Sequence, residues 1–536
     1  MVMLDTTLET RGSMRTYDSS TGGQLQISNE SSVFRAVSAV VCIVWYLTVL
    51  ALGYSGWIEI MRKFRGKKQL APSSQDTQEA VSIIRPCKGV ETEMVACLES
   101  CILQEYPRDK FEVLFCVESS TDACLPTIQQ LIARYPLHNL KLLVGKNGYE
   151  DYYGPNPKVN NLSKGYRYAQ NDIIWVLDAN VWCPPGALSR SVASLVNSLD
   201  NGIKTTSRPV VLTHHVPLAL SISPNTRSVP LSARLDEMFM FSSHAKFYVG
   251  FNKISIAPCV NGKSNLYRCS DLDAAIESIG EAIKFSALFK DPEIQREART
   301  IAAKCKGKSS IDTRKPFTVY AVDQESRDII AKDVAANEQF HHHGIEFFST
   351  YIGEDNMIGT ALWDMLEGRT GMTTDVVVQP LQFGIRDQGL RNYIDRRVRW
   401  LRVRKYMVLA ATLLEPTTEC FFIGAMGAWG FAWLLELPFG LIFAVHSFLW
   451  CVTDRLQYLV LLRTIYADDN IRPEHTPAFL EHAKAPRRLW DWWQLWILRE
   501  LLAFPIWIKA MCGSVIDWRN KPFRIKRDLT AEELSK

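Results

Sequence analysis

Residues 173–180 read IIWVLDAN, five strand-forming apolar residues followed by Asp178, Ala179 and Asn180. Similar apolar runs precede them at residues 81–84, 111–117 and 140–144, and segments with helical periodicity lie in between, at residues 93–104, 125–135 and 161–170. Short buried runs that alternate with helices are typical of a parallel sheet. The sequence therefore predicts an α/β fold, in which ligands bind beyond the carboxyl ends of the strands.

Polar residues stand where the ligand-binding edge of this sheet is expected. Lys88 follows the first run, Glu118 and Asp122 follow the second, and Asp178 follows the fourth. The Asp178 carboxylate suits Mg²⁺ or Mn²⁺, but Asn180 adds only a neutral oxygen, so a cation here would also need phosphate oxygens. Asp122 has a plainer explanation, because it could simply cap the helix that comes after it.

An acidic pair, Glu354 and Asp355, opens an apolar helical run at residues 357–366. Acidic side chains at this position interact favourably with the positive end of the helix dipole, which is a purely structural explanation. Alternatively, Asp355 could act as a base that takes a proton from a hydroxyl group. The residues alone leave both interpretations open.

A basic element at residues 396–400 reads RRVRW and stands just before the next membrane segment. It could be a positive-inside anchor, or a basic interfacial helix with its tryptophan at the headgroup level. It could instead bind a pyrophosphate through Arg396 and Arg399 and place Trp400 beside an acceptor. The pattern by itself does not separate these alternatives.

The N-terminal part of the chain contains a membrane segment. Residues 36–58 carry no charge, and about 23 helical residues extend roughly 35 Å, more than the hydrocarbon core of a bilayer. A basic run comes next at residues 62–68, whereas the tail at 1–35 has few bases and several acids. The positive-inside rule then predicts a lumenal tail, with an accessible glycosylation sequon at Asn29, and a cytosolic location for the residues after the helix.

The last third of the chain is apolar again. Residues 406–512 contain three short candidate membrane segments, at 420–435, 438–452 and 495–512, the last interrupted by two charged residues. Segments of this length either cross a thinned bilayer or enter it in part. We expect a second membrane region here, with a C-terminal tail at 513–536.

Residues 69–404, between the membrane regions, are enough for one large catalytic domain. Within it, residues 270–340 are charged and predicted to form an inserted helical element, and the histidines at 341–343 are not expected to bind one metal together. The 536 residues carry a net charge of only +4, which excludes the overall electrostatic footprint of a nucleic-acid-binding protein. Thirteen cysteines without a CxxC pair indicate a reducing compartment.

Taken in order, the acids and the Arg-Trp element resemble the pattern of processive-type glycosyltransferases, three acidic sites and a (Q/R)xxRW signature. The sequence is more narrowly similar to the ceramide glucosyltransferases, through the motifs RPCKGV (85–90), YP (106–107), FEVLFCV (111–117), NPKVNNL (156–162), SHAKFY (243–248) and GED (353–355). With the Arg-Trp element these motifs cover most of the chain, and the order of membrane segments agrees with the family.

The resemblance implies a GT-A type fold and inverting transfer of glucose from UDP-glucose to the primary hydroxyl of ceramide, giving β-glucosylceramide. It implies a Golgi or ER-type membrane with the catalytic domain in the cytosol, a divalent cation (Mg²⁺ or Mn²⁺), and UDP-glucose, ceramide and the bilayer as partners, without nucleic acid. By matching position, Asp355 is the base and Asp178 the metal ligand, His244 and Glu354 are further site candidates, and the donor-binding residues are Lys88, Glu118, Asp122, Lys158, Arg396, Arg399 and Trp400.

Some alternatives stay open beside the resemblance. The segment 271–340 departs from the family pattern, and His244 could be an ordinary histidine in a polar loop. One rival interpretation is a processive polysaccharide synthase, against which the few, short C-terminal membrane segments argue. The other is a non-catalytic lipid-binding protein on a transferase fold, against which the retained acids argue.

Overall fold

The apolar runs read from the sequence form the centre of one large sheet. The computed structural model describes residues 22–66, 79–146, 152–200, 203–204, 208–222, 229–306, 317–323, 325–334, 342–382, 389–467, 476–518, 521–526 and 529–534. Its strands are β1 (Val81–Cys87), β2 (Phe111–Val117), β3 (Leu140–Gly145), β4 (Ile173–Leu177), β5 (Leu199–Asp200), β6 (Ile203–Lys204), β7 (Val210–Ser221), β8 (Ser264–Arg268), β9 (Phe317–Val322), β10 (Ile329–Val334), β11 (Arg369–Leu381), β12 (Val515–Trp518), β13 (Lys521–Ile525) and β14 (Ala531–Glu533).

Sixteen α-helices accompany these strands in the described residues. They are α1 (Gly22–Lys63), α2 (Met94–Ile102), α3 (Leu125–Arg134), α4 (Pro157–Tyr168), α5 (Ala187–Val196), α6 (Leu231–Phe239), α7 (Ala245–Ile254), α8 (Cys269–Gly280), α9 (Pro292–Cys305), α10 (Glu354–Leu366), α11 (Arg391–Met407), α12 (Leu409–Leu414), α13 (Cys420–Leu435), α14 (Phe439–Ile465), α15 (Ala478–Ala483) and α16 (Leu489–Met511). The segments 125–135 and 161–170, predicted as helical, correspond to α3 and α4.

The main sheet has nine strands in the order β10-β9-β3-β2-β1-β4-β8-β7-β11. β1 pairs in parallel with β2 on one side and with β4 on the other, and β2 pairs in parallel with β3. β1, β2 and β4 are buried along their whole length, as expected for strands covered on both faces. The predicted α/β fold, a Rossmann-like core of the GT-A type, is confirmed, and its strand order places a crevice between the carboxyl ends of β1 and β4.

The two edges of the sheet differ from the predicted arrangement. β8 runs antiparallel to β4, and the long strands β7 and β11 complete that side. On the other side, β9 pairs antiparallel with β3 and with β10. The prediction of a helical insert at 270–340 is therefore wrong in part, because α8 and α9 are followed by two strands of the main sheet. Residues 330–333 of β10 are exposed, so the strand lacks the apolar run of a buried one.

Among the residues that the structure describes, two helices are long and apolar enough to cross a membrane, within α1 (Val33–Lys63) and in α14. A third crossing would combine Leu409–Thr418 with Cys420–Leu435, which are bent by 77° relative to each other. α16 contains the buried pair Arg499 and Glu500, and Arg499 also binds Glu419 at 2.9 Å. These charges explain why the predicted segment at 495–512 lacks the composition of a membrane-crossing helix. Helices with the length and composition to cross a membrane thus stand at both ends of the core, as predicted.

Glycines bring α1 close to its neighbours. A Cβ atom added to Gly56 would lie 2.1 Å from the carbonyl oxygen of Lys246 in α7, and one added to Gly427 of α13 would lie 2.4 Å from the ring of Tyr46 in α1. Small residues allow such close approach of membrane helices. The α1–α7 contact therefore fixes the catalytic core directly against the first membrane helix.

The end of the chain folds back on the core. β12, β13 and β14 form a separate antiparallel sheet, whose buried side chains Ile516 and Phe523 pack with Ile352 and Val403. Ile352 lies in the short loop that leads into α10. The described part of the predicted C-terminal tail (513–536) thus supports the loop that leads into α10, whose first residues are Glu354 and Asp355.

Candidate active site

A large cleft opens at the carboxyl ends of β1 and β4 and continues to the membrane helices. Its volume is about 1640 Å³. At the membrane side its wall is apolar and includes Leu52 of α1 and Phe247 and Phe251 of α7. At the sheet it is polar, and the predicted residues that line it are Lys88, Glu118, Lys158, Asp178, His244, Glu354, Asp355, Arg396, Arg399 and Trp400.

Lys158 connects the acids of two distant segments. It stands in the first turn of α4, which begins with a proline and is capped by Asn156, whose side chain accepts from the Lys158 N–H at 2.9 Å. The Lys158 ammonium lies 3.0 Å from Asp178 Oδ1 and 3.0 Å from Glu354 Oε1. It also donates to the Gly262 carbonyl at 3.0 Å. The three N–H groups of the ammonium thus each have a protein acceptor, and Lys158 holds the two acids in place relative to each other.

Asp178 is held by a second lysine that the sequence analysis missed. Lys263 Nζ lies 3.0 Å from Asp178 Oδ2 and donates to Asn180 Oδ1 at 3.0 Å. Burial would raise the pKa of Asp178, but the ammonium groups of Lys158 and Lys263 hold it well below its usual range. Lys263 precedes β8 and lies in the polar turn NGK at residues 261–263, which gives no local indication of its partner Asp178.

The Asp355 carboxyl has a pKa suited to proton transfer near neutral pH. Burial is the largest cause that raises the pKa of Asp355 to about 7; the neighbouring Glu354 carboxylate adds to the rise, and Lys158 opposes it. Gly262 approaches this carboxyl closely, because a Cβ atom added there would lie 3.1 Å from Asp355 Oδ2. A group with this pKa can accept a proton and release it again at physiological pH.

Asp122 lies beside the cleft rather than in its wall. Its Oδ1 accepts from the backbone N–H of Gly89 at 2.8 Å and of Cys124 at 2.9 Å. Burial opposes ionisation of this carboxyl, but these two donors lower its pKa below the usual value. Asp122 therefore fixes the loop that carries Lys88, whose ammonium forms an ion pair with Glu118 in the cleft wall.

The Arg-Trp element lies in α11 and packs into the protein. Arg396 donates to Gln379 Oε1 at 2.8 Å, and its guanidinium lies 5.1 Å from the centre of the Trp400 ring. Arg397 is buried, 7% exposed, with its guanidinium 3.4 Å from the centre of the Phe239 ring. These contacts argue against the interpretation that the two arginines anchor the helix at the lipid headgroups. They also direct this part of α11 toward the cleft.

His244 ends a π-helical turn (Met240–His244) and packs among aromatic rings. Its imidazole stacks on Tyr248 at 5.3 Å and lies 6.3 Å from the Trp400 ring centre. Burial, followed by the charge of Arg397 and other arginines, lowers the pKa of His244 to about 3, so the ring is neutral at physiological pH. Its Nδ1 is buried and has no hydrogen-bond partner among the described residues.

The two described histidines of the 341–343 run contact separate acids. His342 Nδ1 lies 2.9 Å from Asp273, and His343 Nδ1 lies 2.8 Å from Glu346. His341 lies outside the described residues, as do residues 1–21 of the predicted N-terminal tail. Within the described part of the chain, no group of three or more His, Cys, Asp or Glu side chains is arranged to hold a metal ion.

An α/β core of this type, with paired acids and lysines in a cleft that reaches membrane helices, defines the chain as a membrane-associated glycosyltransferase. It belongs to glycosyltransferase family 21, whose sequence model matches residues 43–281 and 341–531. Residues 282–340, most of the segment that departs from the family pattern, lie outside this match.

Similar proteins match most of the chain. A ceramide glucosyltransferase of Komagataella phaffii is 44% identical and covers 92% of each chain, and one of Candida albicans is 41% identical over 95% of this chain and all of the other. Among solved structures, a mannosyltransferase from Pyrobaculum calidifontis in complex with GDP-Man and Mn²⁺ is 13% identical, with a TM-score of 0.38, and covers 80% of this chain and 99% of that one.

Proposed function

We propose that the chain transfers glucose from UDP-glucose to the primary hydroxyl of ceramide with inversion, giving β-glucosylceramide. The observation that carries this proposal is the continuity of the cleft, which leads from the acids and lysines at the sheet edge to apolar side chains of α1 and α7. A water-soluble donor would enter from one end and a lipid acceptor from the bilayer. The fungal relatives named ceramide glucosyltransferases support the choice of glucose and ceramide.

In this mechanism Asp355 is the base. The ceramide oxygen attacks the anomeric carbon of glucose on the face opposite the leaving group while Asp355 accepts its proton. The new C–O bond forms as the bond to the diphosphate breaks, and UDP leaves with the electron pair. The pKa of about 7 supports this role, since the carboxyl can lose the proton again afterwards.

Donor binding is assigned to the positive and polar groups of the cleft. Lys88, Glu118 and Asp122 would form the nucleotide end, with Asp122 acting through the loop that it fixes. Arg396 and Arg399 would stabilise the charge on the leaving diphosphate. The neutral His244 and the ring of Trp400 would border the ceramide headgroup, which offers hydroxyl and amide groups to the unpaired Nδ1 of His244.

A divalent cation, Mg²⁺ or Mn²⁺, would be held by Asp178 and Asn180 together with phosphate oxygens of the donor. The two side-chain oxygens converge on one cationic group, the ammonium of Lys263, at 3.0 Å each. Carboxylate and amide oxygens are the ligands that these hard cations prefer. Bound there, the cation would neutralise negative charge on the diphosphate.

The protein would reside in a Golgi or ER-type membrane, crossing it more than once, with its N-terminus in the lumen and its catalytic domain in the cytosol. Arg62 and Lys63 at the end of α1 support this orientation. If so, protease added to sealed vesicles will digest the catalytic domain. Protection of that domain would contradict the orientation.

The proposal is tested in microsomes from cells that lack endogenous activity and express this chain. Labelled UDP-glucose and ceramide should yield labelled glucosylceramide. Asp355→Asn should reduce the rate by about 10²–10⁴-fold, the usual contribution of a general base. Normal turnover by this variant at equal expression would show that Asp355 is not the base.

A further inference from the structure

We propose that Lys263 occupies the cation position beside Asp178 until the donor diphosphate arrives, and thereby makes divalent-cation binding dependent on the nucleotide. This inference rests on the proposed function, because it concerns the donor and cation of that reaction. It adds a residue that controls the order in which the site is filled. The argument comes from strand register, contacts and charge.

Strand register brings Lys263 to Asp178. The antiparallel pairing of β4 with β8 sets Leu177 opposite Ser264, so Asp178, which follows Leu177, and Lys263, which precedes Ser264, face each other. The Asp178 N–H donates to the Lys263 carbonyl at 3.1 Å, which continues the ladder by one pair. The position of this lysine at the carboxyl end of β4 is therefore a property of the sheet itself.

The contacts of Lys263 coincide with those expected of a bound cation. Its ammonium lies 3.0 Å from Asp178 Oδ2 and 3.0 Å from Asn180 Oδ1, the two oxygens that would ligate a metal. The other Asp178 oxygen, Oδ1, lies 3.0 Å from Lys158. A metal ion at 2.0–2.2 Å from the same oxygens, the usual range for Mg²⁺ and similar cations, cannot coexist with the ammonium in this position.

The charges in the site make the replacement of the Lys263 ammonium by a metal ion dependent on the donor diphosphate. The carboxylates of Asp178 and Glu354 are balanced by the ammonium groups of Lys158 and Lys263, all mostly buried. A divalent cation entering alone would displace one ammonium and leave excess positive charge in a region of low dielectric constant. A diphosphate that enters with the cation supplies negative charge, with which the displaced ammonium can pair.

Lys263 has somewhere to go when it is displaced. A small cavity beside it is bordered by Asn261, Gln379, Arg396 and Trp400. The positive guanidinium of Arg396 repels the ammonium, so Lys263 moves to that side only when an anion bound between the two cations attracts both of them. Lysine has a flexible four-carbon stem, which allows the movement without a change in the backbone.

The test measures Mn²⁺ binding directly. Purified full-length protein in detergent is titrated with Mn²⁺ at pH 7, with and without UDP, and free Mn²⁺ is quantified by electron paramagnetic resonance. The wild-type protein should bind Mn²⁺ about 10 to 100 times more tightly with UDP, within the usual range of coupling between sites. The neutral variants Lys263→Met and Lys263→Gln should bind Mn²⁺ without UDP at least about tenfold more tightly than wild type.

Two variants serve as controls. Lys263→Arg keeps the positive charge and should retain weak Mn²⁺ binding in the absence of UDP. Lys253→Met removes another lysine from the cleft wall, one that pairs with Glu59 at 3.3 Å, and should match wild type. Size-exclusion profiles of all variants report whether they are folded.

The outcomes separate this inference from the proposed function. Equal Mn²⁺ affinity of wild type and both neutral variants without UDP would overturn the role of Lys263, even if glucose transfer is normal. Tight binding by Lys263→Arg would also overturn it, because charge would not be the cause. If the wild type binds no Mn²⁺ even with UDP, the proposed cation site is wrong, and the role of Lys263 is wrong with it. Glucose transfer in the presence of a chelator would then show that the protein is still a glucosyltransferase.

Discussion

Replacing Glu354 by glutamine should move the pH dependence of glucose transfer to lower pH. With the pKa of Asp355 at about 7, about 9% of its carboxyl groups are ionised at pH 6 and about 91% at pH 8. If Asp355 is the base, kcat/KM of the wild type rises about tenfold between these pH values. The rise reports the ionisation of this one carboxyl.

The charge of Glu354 is the largest contribution to that pKa after burial. Its removal lowers the pKa of Asp355, and it also releases Lys158, whose ammonium favours the ionised carboxyl, so both effects have the same sign. A fall of about one pH unit in the pKa would reduce the tenfold rise to about twofold. Burial remains, so the pKa does not return fully to that of an exposed aspartate.

The substitution also has a structural cost, which the assay must separate from the electrostatic effect. Glu354 accepts from Lys158 at 3.0 Å and from Asn156 Nδ2 at 2.9 Å. Glutamine has one acceptor oxygen and satisfies only one of these donors, which costs about 1–3 kcal/mol of folding stability. Rates are therefore normalised to the maximum of each variant, because the shape of a pH profile does not depend on the amount of folded enzyme.

The assay uses a fluorescent short-chain ceramide and UDP-glucose between pH 5.5 and 8.5. Glu118→Gln is the matched control, since Glu118 is an acid of the same cleft that pairs with Lys88 rather than with the Asp355 environment. Its turnover can fall, but the shape of its profile should be that of wild type. An unchanged tenfold rise in Glu354→Gln would refute the electrostatic reasoning, and a flat wild-type profile would refute Asp355 as the base.

Three further substitutions test other parts of the site. Gly262→Ala should lower turnover about tenfold, because its Cβ would lie 3.1 Å from Asp355 Oδ2 and displace the carboxyl; unchanged turnover would show that the carboxyl position is not critical. Arg399→Ala should raise the KM for UDP-glucose and lower kcat without loss of membrane insertion, whereas failed insertion would favour an anchoring role. Gly56→Ala should destabilise the protein by about 1–3 kcal/mol through overpacking against α7, whereas Gly66→Ala, with no described atom within 4 Å of its Cβ position, should leave the melting temperature unchanged.

Much of the catalytic core could be predicted from the sequence because its central strands are buried on both faces. The run at residues 173–177 has no polar residue, so its strand character and the place of Asp178 at its carboxyl end follow from composition alone. Parallel strands share one ligand-binding edge, and Lys88 and Glu118 therefore fall beside Asp178 in the same cleft.

Lys263 could not be found in this way. Its position depends on the antiparallel pairing of β4 with β8, two strands separated by about 85 residues along the chain, and a polar turn before a five-residue strand gives no local signal of its partner. Long-range pairing thus determines the position of Lys263. The edge strand β10 was missed for a different reason: it pairs with its chain neighbour β9, and most of its side chains are exposed, so it shows no buried apolar pattern.

The Arg-Trp element shows a different limit of sequence reasoning. Basic residues next to a membrane segment are usually anchors, and the pattern at residues 396–400 fits that interpretation. The structure buries Arg397 against Phe239 and binds Arg396 to Gln379. Phe239 belongs to α6, which lies far away in the chain, and Gln379 belongs to β11, 17 residues before Arg396. The location of the element inside the protein therefore depends on the tertiary fold.

The most direct test of the proposed reaction is the identity of the product. Purified protein in lipid nanodiscs that contain ceramide is given UDP-glucose, UDP-galactose or UDP-N-acetylglucosamine in separate reactions, and the lipid product is analysed by NMR. We expect a product from UDP-glucose, with one glucose in β linkage to the primary hydroxyl of ceramide. A galactolipid, an α linkage, or a polysaccharide formed without ceramide would contradict the proposed reaction.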